Sequence, residues 1–283
     1  MSYLNQKIIL LSVKFDKNLA AIHGYLCSDG YVIKNPETQK HKYYYIGLRN
    51  FEETLLKDFQ QKFTQVFGII PIITNDGRCK IQNKEIYTFL TKDYSYYSYE
   101  WKLPKLNKEN LRYWLRAFFD SEGWVENQPG KSRLIGADCC NESGLASIKI
   151  ELSRLNIAST IHKRAGRILW RLNICGLDNL KMFQKQINFI HPQKSQKLNE
   201  AINSYKDYTW KIPRSKKELL RFIHQKGKIR LNRCQLQIFS IKLHNLSRLK
   251  KALNNYNITC KVFGPWRNKS GSKYYCLTMK TEV

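Results

Sequence analysis

The feature that most constrains this chain is a repeat. Residues 22–32 read IHGYLCSDGYV and residues 115–125 read LRAFFDSEGWV. Each is an apolar stretch at helical spacing, then Ser, an acid and Gly, then an aromatic residue and Val. The two acids, Asp29 and Glu122, stand 93 residues apart. Alone, Ser-acid-Gly reads as a helix stop with glycine in the left-handed region. In two matching copies it predicts one supersecondary unit used twice.

The segments downstream of the two motifs also correspond. After the first come the extended segments YVIKN and KYYYIGLRN, then an amphipathic helix over about 52–67 with Leu55, Leu56, Phe59, Phe63 and Val66 at helical spacing. IIPIIT and RCKIQ supply a second hairpin turning at Asn75-Asp76-Gly77. After the second motif come SRLIGADCC, a helix over about 143–155, and the pair STIHKR and RILWRLNIC around Gly166. The expected fold class is α+β, with two pseudo-symmetric αββαββα halves whose helices pack on one face of antiparallel sheets. A further strand–helix–hairpin rhythm runs through CQLQIFS, a helix over 245–255, ITCKVFG and KYYCLTM. The stretch before it, WKIPRSKKELLRFIHQKGKIR, carries no Ser-acid-Gly helix. The expected divisions are therefore 1–108, 109–205 and an added basic α/β unit over 206–283, with YSYYSYEW at 94–101 joining the halves.

Charge selects the partner. Lys and Arg number 49 against 22 Asp and Glu, a formal +27. Such a balance attracts polyanions, nucleic acid above all. No apolar run approaches the ~20 residues that span a bilayer, and the IILL run after Lys7 is too short for a cleavable leader. Eight scattered cysteines without a CxxC argue against zinc and against a disulfide framework. The expectation is an intracellular, reducing compartment, the cytoplasm of a microbe or an organelle, and no membrane partner.

The motif helices carry small residues one turn apart, Gly24 with Ser28 and Ala117 with Ser121, extended by Ala20 and Ala21. Such stripes let two helix backbones approach closely. If the helices pack parallel, Asp29 and Glu122 converge at two C-terminal ends, where the helix dipoles already disfavour negative charge. A divalent cation removes that conflict, because Mg²⁺ takes a few carboxylate oxygens and fills its shell with water and phosphate oxygens. Two acids and a metal at a phosphate are the parts for phosphodiester hydrolysis.

GYLCSDG and LRAFFDSEG resemble the two motifs of single-chain LAGLIDADG homing endonucleases, and WKLPKLNKENLRYWLRAFFDSEG resembles the approach to the second motif. The resemblance covers about residues 15–205. It implies that Asp29 and Glu122 bind catalytic Mg²⁺ (or Mn²⁺). It also implies that the paired sheets form a saddle over a long asymmetric double-stranded DNA site, cut on both strands by a monomer. Cys27 departs from the family's usual first Asp, which Asp120 keeps; that position is more structural than metal-binding. His23 and Arg116 stand where small residues are common. A basic helper after the second hairpin is implied at Lys194, with Lys197 as the alternative, and the first half has no matching lysine.

The second hairpins alternate with period two, setting Arg78, Lys80 and Gln82 opposite Cys79 and Ile81. In the other half Arg167, Arg171 and Asn173 oppose Ile168, Trp170, Leu172 and Ile174. Such polar faces suit base-edge readout by a β-ribbon in the major groove. Lys34, Lys42, Arg49, Lys131 and Arg133 in the first hairpins join them as DNA-contact candidates. The densest basic run, 211–233, adds Lys228 and Arg230 for phosphate tracking. Function is thus expected to be site-specific double-strand cleavage encoded by a mobile intron. A maturase acting on intron RNA and a non-catalytic DNA-binding regulator are the alternatives. The chain lacks the terminal Cys/Ser and His-Asn of protein splicing, which argues against an intein.

Overall fold

The computed structural model describes residues 15–128, 132–205, 209–230, 234–268 and 273–280. The chain divides into two compact units, Met1–Ser204 and Tyr205–Val283. In the first, α1 (Lys17–Leu26), β1 (Gly30–Lys34), β2 (Tyr44–Arg49), α2 (Glu53–Phe67), β3 (Ile72–Thr74), β4 (Arg78–Gln82) and α3 (Lys84–Thr91) make one half. The other half comprises α4 (Lys108–Glu122), β5 (Gly123–Gln128), β6 (Ser132–Cys139), α5 (Glu142–Arg154), β7 (Thr160–Lys163), β8 (Trp170–Cys175) and α6 (Leu177–Gln186), with α7 (Pro192–Asn203) appended. Each half has a four-stranded antiparallel sheet, ordered β1-β2-β4-β3 and β5-β6-β8-β7. The αββαββα expectation holds for both.

Local chemistry sets the boundaries. Asp16 caps α1 by accepting from the N–H groups of Asn18 and Leu19, both at 2.9 Å, and Asn107 caps α4 through Asn110 N–H at 2.8 Å. Helix α2 ends on Gly68 at φ 69°, where a left-handed residue is needed. The motif glycines do something else. Gly123 is extended, at φ −79° and ψ 154°, and Gly30 is not among the positive-φ residues. A β-carbon on Gly30 would lie 2.4 Å from Leu26 Cα, and one on Gly123 would lie 2.4 Å from the Phe119 carbonyl oxygen. Each glycine opens the strand, Gly123 directly after α4 and Gly30 after a three-residue turn, so the left-handed stop expected of Ser-acid-Gly is corrected.

Alternation sorts each sheet into two faces. Ile46, Leu48 and Cys79 face a core built with Leu55, Leu56, Phe59 and Phe63 of α2, and Ile135, Leu172 and Ile174 are their counterparts in the second half. On the opposite face Tyr31 lies across Gly47, where a β-carbon would meet its hydroxyl at 2.6 Å, and Trp124 lies across Gly136 in the same way at 2.3 Å. The aromatic linker between the halves is split in role. Tyr94 and Tyr96 pack on His23, Trp101 is buried against Trp114 and Phe118, and Tyr97 and Tyr99 are exposed.

The second unit contains α8 (Lys216–Lys226), β9 (Gly227–Arg230), β10 (Gln235–Ser240), α9 (Leu243–Asn254), β11 (Cys260–Arg267) and β12 (Lys273–Lys280). Its sheet is ordered β9-β10-β12-β11, the connectivity of the other two sheets. Its core joins Leu219 and Ile223 of α8 to Leu236, Ile238, Leu277 and Met279 of the sheet and to Leu246, Leu249 and Leu253 of α9. The helix and strand that open it, α8 and β9, lie where the sequence offers only a basic run.

Candidate metal and nucleic-acid site

Helices α1 and α4 run parallel and in close contact. Asn110 Nδ2 donates to the Phe15 carbonyl at 2.8 Å near their starts, Trp114 Nε1 donates to His23 Nδ1 at 2.9 Å halfway along, and Gly24 packs on Ala117 beyond. A β-carbon at Gly24 would stand 2.4 Å from the Trp114 carbonyl oxygen, so only glycine permits this spacing. Burial lowers the His23 pKa to about 3, keeping the imidazole neutral inside the helix pair. Asp29 and Glu122 come next in the chain, where the two helices end.

Burial raises the pKa of Asp29, opposed by Asn50, whose Nδ2 donates to Asp29 Oδ2 at 2.8 Å, and by the charge of Lys194. Burial raises Glu122 to about 7, and the negative charge of Asp29 adds to it. Lys194, near the start of α7, donates to the carbonyls of Asp120 at 2.5 Å and Ser121 at 3.1 Å. It thereby satisfies carbonyls that α4 leaves open at its end. Burial lowers the Lys194 pKa, and Asp120, Asp29 and Glu122 oppose that shift. At the end of α1 the Ser28 hydroxyl does the same work, donating to the carbonyls of Gly24 and Tyr25, each at 3.0 Å. The two motif ends are thus chemically unequal.

Asp120 is fully buried and accepts from the N–H groups of Ile190 (3.0 and 3.1 Å) and His191 (3.0 Å). Burial lifts its pKa to about 6. It ties down the entry to α7 and hence Lys194. Its counterpart Cys27 instead lies 3.3 Å from His23 Nδ1.

Next to Asp29 opens a cleft of about 430 Å³ lined by Arg49, Asn50, Phe51, Glu52, His191 and Gln193. Of these only Arg49 is a candidate from sequence; Asn50, the partner of Asp29, carries no signal there beyond its place after a strand. Among the described residues no three His, Cys, Asp or Glu side chains gather into a metal cluster. The donors at the motif ends are two carboxylates, without sulfur or imidazole. That oxygen set fits a hard cation completing its shell with water or phosphate.

The DNA-contact candidates separate by strand parity. Arg49, Arg78, Lys80 and Gln82 share the outer face of the first sheet, in the register Tyr45↔Gln82, Gly47↔Lys80 and Arg49↔Arg78. Arg171 and Asn173 share that of the second, paired with Asp138 and Gly136. Arg171 donates to both Asp138 oxygens, at 2.6 and 2.8 Å, and its guanidinium lies 4.8 Å from the Trp124 ring centre. Arg164 joins Asp138 at 2.9 Å, and these hydrogen bonds hold the Asp138 pKa below the usual range. Asp138, Trp124, Arg164 and His162, opposite Arg171 in β7, are not among the sequence candidates.

Four candidates of the first unit fall elsewhere. Lys34 has the parity of the core residues Val32 and Ile46 and pairs with Glu37 at 3.3 Å. Arg133 has the parity of Val125 and Ile135 and donates to Ser204 Oγ at 2.6 Å, holding the end of α7. Arg167 sits in the turn before β8, because the strand begins at Trp170, and Ile168 is exposed rather than core. Lys42 lies between β1 and β2, donating to the Glu37 carbonyl at 2.6 Å. Lys131 lies outside the described residues. Lys197 is on α7 one turn beyond Lys194, and Lys228 and Arg230 are exposed on β9.

A family model for LAGLIDADG-like domains matches residues 16–103 and 109–188. The crystal structure of I-DmoI in complex with DNA and Ca is similar at a TM-score of 0.51, with 15% identity over 66% of this chain and 98% of that one. The homing endonuclease I-WcaI bound to its DNA recognition sequence gives a TM-score of 0.45, with 12% identity over 66% and 87%. The N-terminal LAGLIDADG domain of WhiA gives a TM-score of 0.40, with 16% identity over 66% and 96%. No curated protein matches the chain in sequence. With a family model matched twice across more than half its length, each match carrying one of the two Ser-acid-Gly motifs, the chain belongs to the LAGLIDADG family.

Proposed function

We propose that the chain is a site-specific double-strand DNA endonuclease, with halves 1–108 and 109–205 each giving one acid to a shared divalent-metal site. The observation that carries the reading is the electrostatic strain of Asp29 and Glu122. Two half-buried carboxylates with raised pKa values stand at two helix C-termini, an arrangement that a cation relieves. Mg²⁺ or Mn²⁺ held there supplies Lewis-acid stabilisation of the charge that builds on a phosphate during hydrolysis.

The chain's own residues do the rest. Asn50 fixes the carboxylate plane of Asp29. Lys194, anchored on the Asp120 and Ser121 carbonyls, keeps an ammonium beside both acids to offset phosphate charge. Arg78, Lys80, Arg171 and Asn173 present donors on the outer faces, suited to base edges and phosphates. The two faces differ in sequence, so one chain would read a long asymmetric duplex as a monomer.

The test is incubation with DNA spanning the uninterrupted insertion site of the chain's gene, with Mg²⁺ or with Ca²⁺. The expected result is double-strand cleavage in Mg²⁺, abolished by Asp29→Asn or Glu122→Gln while DNA binding persists. Full activity in either variant sinks the assignment, and binding without cleavage by the unaltered chain supports a regulator instead. A splicing assay on the surrounding intron RNA separates a maturase.

A further inference from the structure

The second unit repeats the motif-bearing half down to its helix end. Helix α8 passes straight into β9 at Gly227, which is extended at φ −88° and ψ 157° and donates its N–H to the Ile223 carbonyl. Gly123 does the same with φ −79°, ψ 154° and the Phe119 carbonyl. A β-carbon on Gly227 would lie 2.7 Å from the Ile223 oxygen, the clash that also forces glycine at 123. Strand pairing agrees, with Gly227↔Ile238 standing where Gly30↔Leu48 and Gly123↔Ala137 stand. Aligned on these glycines, Lys226 occupies the place of Asp29 and Glu122, and Arg221 the place of Gly24 and Ala117.

Both replacements remove a property of the first two copies. Arg221 is exposed and too large for the close helix contact that Gly24 permits. Lys226 gives the helix end the positive charge its dipole favours and cannot ligate a cation as a carboxylate does. The copy keeps its own core and its sheet.

The outer face of that sheet is graded. At one end Arg230, Gln235 and Lys280 lie in register, then Lys228, Gln237, Thr278 and Lys261. At the other end lie Phe239, Phe263, Trp266 and Tyr274. A register shift at Gly264–Pro265 brings Phe263 and Trp266 onto this same face, stacked at 23° and 6.5 Å. Trp266 lies 5.7 Å from Tyr274, and Phe239 lies 6.2 Å from Tyr274. Phe239, Phe263 and Trp266 each keep 43–44% of their surface in solvent. In the first two sheets, by contrast, the aromatic lies flat on a glycine, Tyr31 on Gly47 and Trp124 on Gly136.

We propose that residues 215–280 are a third, non-catalytic copy of the half whose outer sheet face binds single-stranded nucleic acid. Exposed ring faces beside a row of Lys and Arg suit unpaired bases on a phosphate backbone, whereas the bases of a duplex are already stacked on one another. The occupant is a single-stranded segment, RNA or DNA. The proposal is independent of the cleavage reading, since it involves neither Asp29 nor Glu122.

The experiment uses the full chain and labelled oligo(U) and oligo(dT) of about ten nucleotides, titrated by fluorescence anisotropy in excess unlabelled random-sequence duplex. The double variant Phe263→Ala/Trp266→Ala is expected to weaken single-strand binding about tenfold or more. Trp266→Phe, which keeps a ring, retains it, and Lys228→Glu with Lys261→Glu weakens it and flattens its salt dependence. Asp29→Asn leaves it unchanged, and whichever oligonucleotide binds better identifies the source. Photocrosslinking of bromouracil-substituted strands is expected to map to peptides carrying Phe263 or Trp266, a readout that does not depend on the variants folding. Undiminished binding by the double variant, crosslinks confined to the first unit, or displacement by duplex at equal concentration overturns the proposal.

Discussion

The carbonyl oxygen of Trp114 stands 2.4 Å from where a β-carbon on Gly24 would be. That oxygen belongs to the backbone of α4 and cannot rotate away, so Gly24→Ala must push the helices apart. The alanine gains about 1 kcal/mol in helix propensity, but overpacking costs ~1–3 kcal/mol, and a clash with a backbone atom that cannot move aside lies at the upper end of that range. Calorimetry should show the transition of the first unit lowered by roughly 2–10 °C. Because Asp29 and Glu122 are spaced by the same contact, cleavage should fall on the order of 10²-fold. An unchanged transition with full cleavage would show that the acids do not depend on helix contact here.

Glu122 makes metal-free stability depend on pH. Its carboxyl is raised by burial from 4.5 to about 7, so the folded chain holds this proton more tightly than the unfolded chain. Stability from this group is present below pH 4.5, declines as pH rises from 4.5 to about 7, and is gone above that. Urea titrations in chelator should show this decline, and Glu122→Gln should flatten it. Added Mg²⁺ should stabilise the unaltered chain more at pH 8 than at pH 6, because the proton and the cation compete for one carboxylate.

Lys194→Met leaves the Asp120 and Ser121 carbonyls without their charged donor and removes the ammonium beside both acids. Single-turnover cleavage should fall by ~10²–10³-fold, with DNA affinity little altered. Lys194→Arg should recover only part, because a planar fork does not reproduce a point charge. Loss of binding in step with loss of cleavage would assign Lys194 to docking the DNA instead.

The motif acids are legible in the sequence because two copies carry the same unusual placement, an acid at a helix C-terminus. The αββαββα order is legible because hydrophobic period switches between 3.6 and 2 along each half. Other features depend on information a single chain segment does not carry. Lys34 and Arg133 look like any basic strand residue until pairing fixes their parity, and a one-residue difference sends them to the helix side of the sheet. Arg167 continues the alternation of β8 in the sequence, yet the turn around Gly166 extends three residues further than periodicity suggests. Asn50 reaches Asp29 only because β2 ends beside β1. The third motif helix is hidden because Arg221 and Lys226 stand at the positions that identify the other two.

Arg171 and Arg167 should separate two kinds of DNA contact. Asp138 and the Trp124 ring hold Arg171 in one orientation, so little side-chain entropy remains to be lost when it meets a base edge. Arg171→Ala should cost ~1–3 kcal/mol of binding to the cognate site and relax preference at one base-pair position. Asp138→Asn, which frees the guanidinium but keeps it, should weaken cognate binding less and blur the same position. Arg167 lies in an exposed turn with no such anchor, suited to a phosphate. Arg167→Ala should weaken binding to all sequences alike and lower the slope of log affinity against log salt by about 1. Binding to a panel of single-base-pair variants at several salt concentrations measures both effects. Position-specific loss in Arg167→Ala, or uniform loss in Arg171→Ala, would reverse the assignment of these two residues.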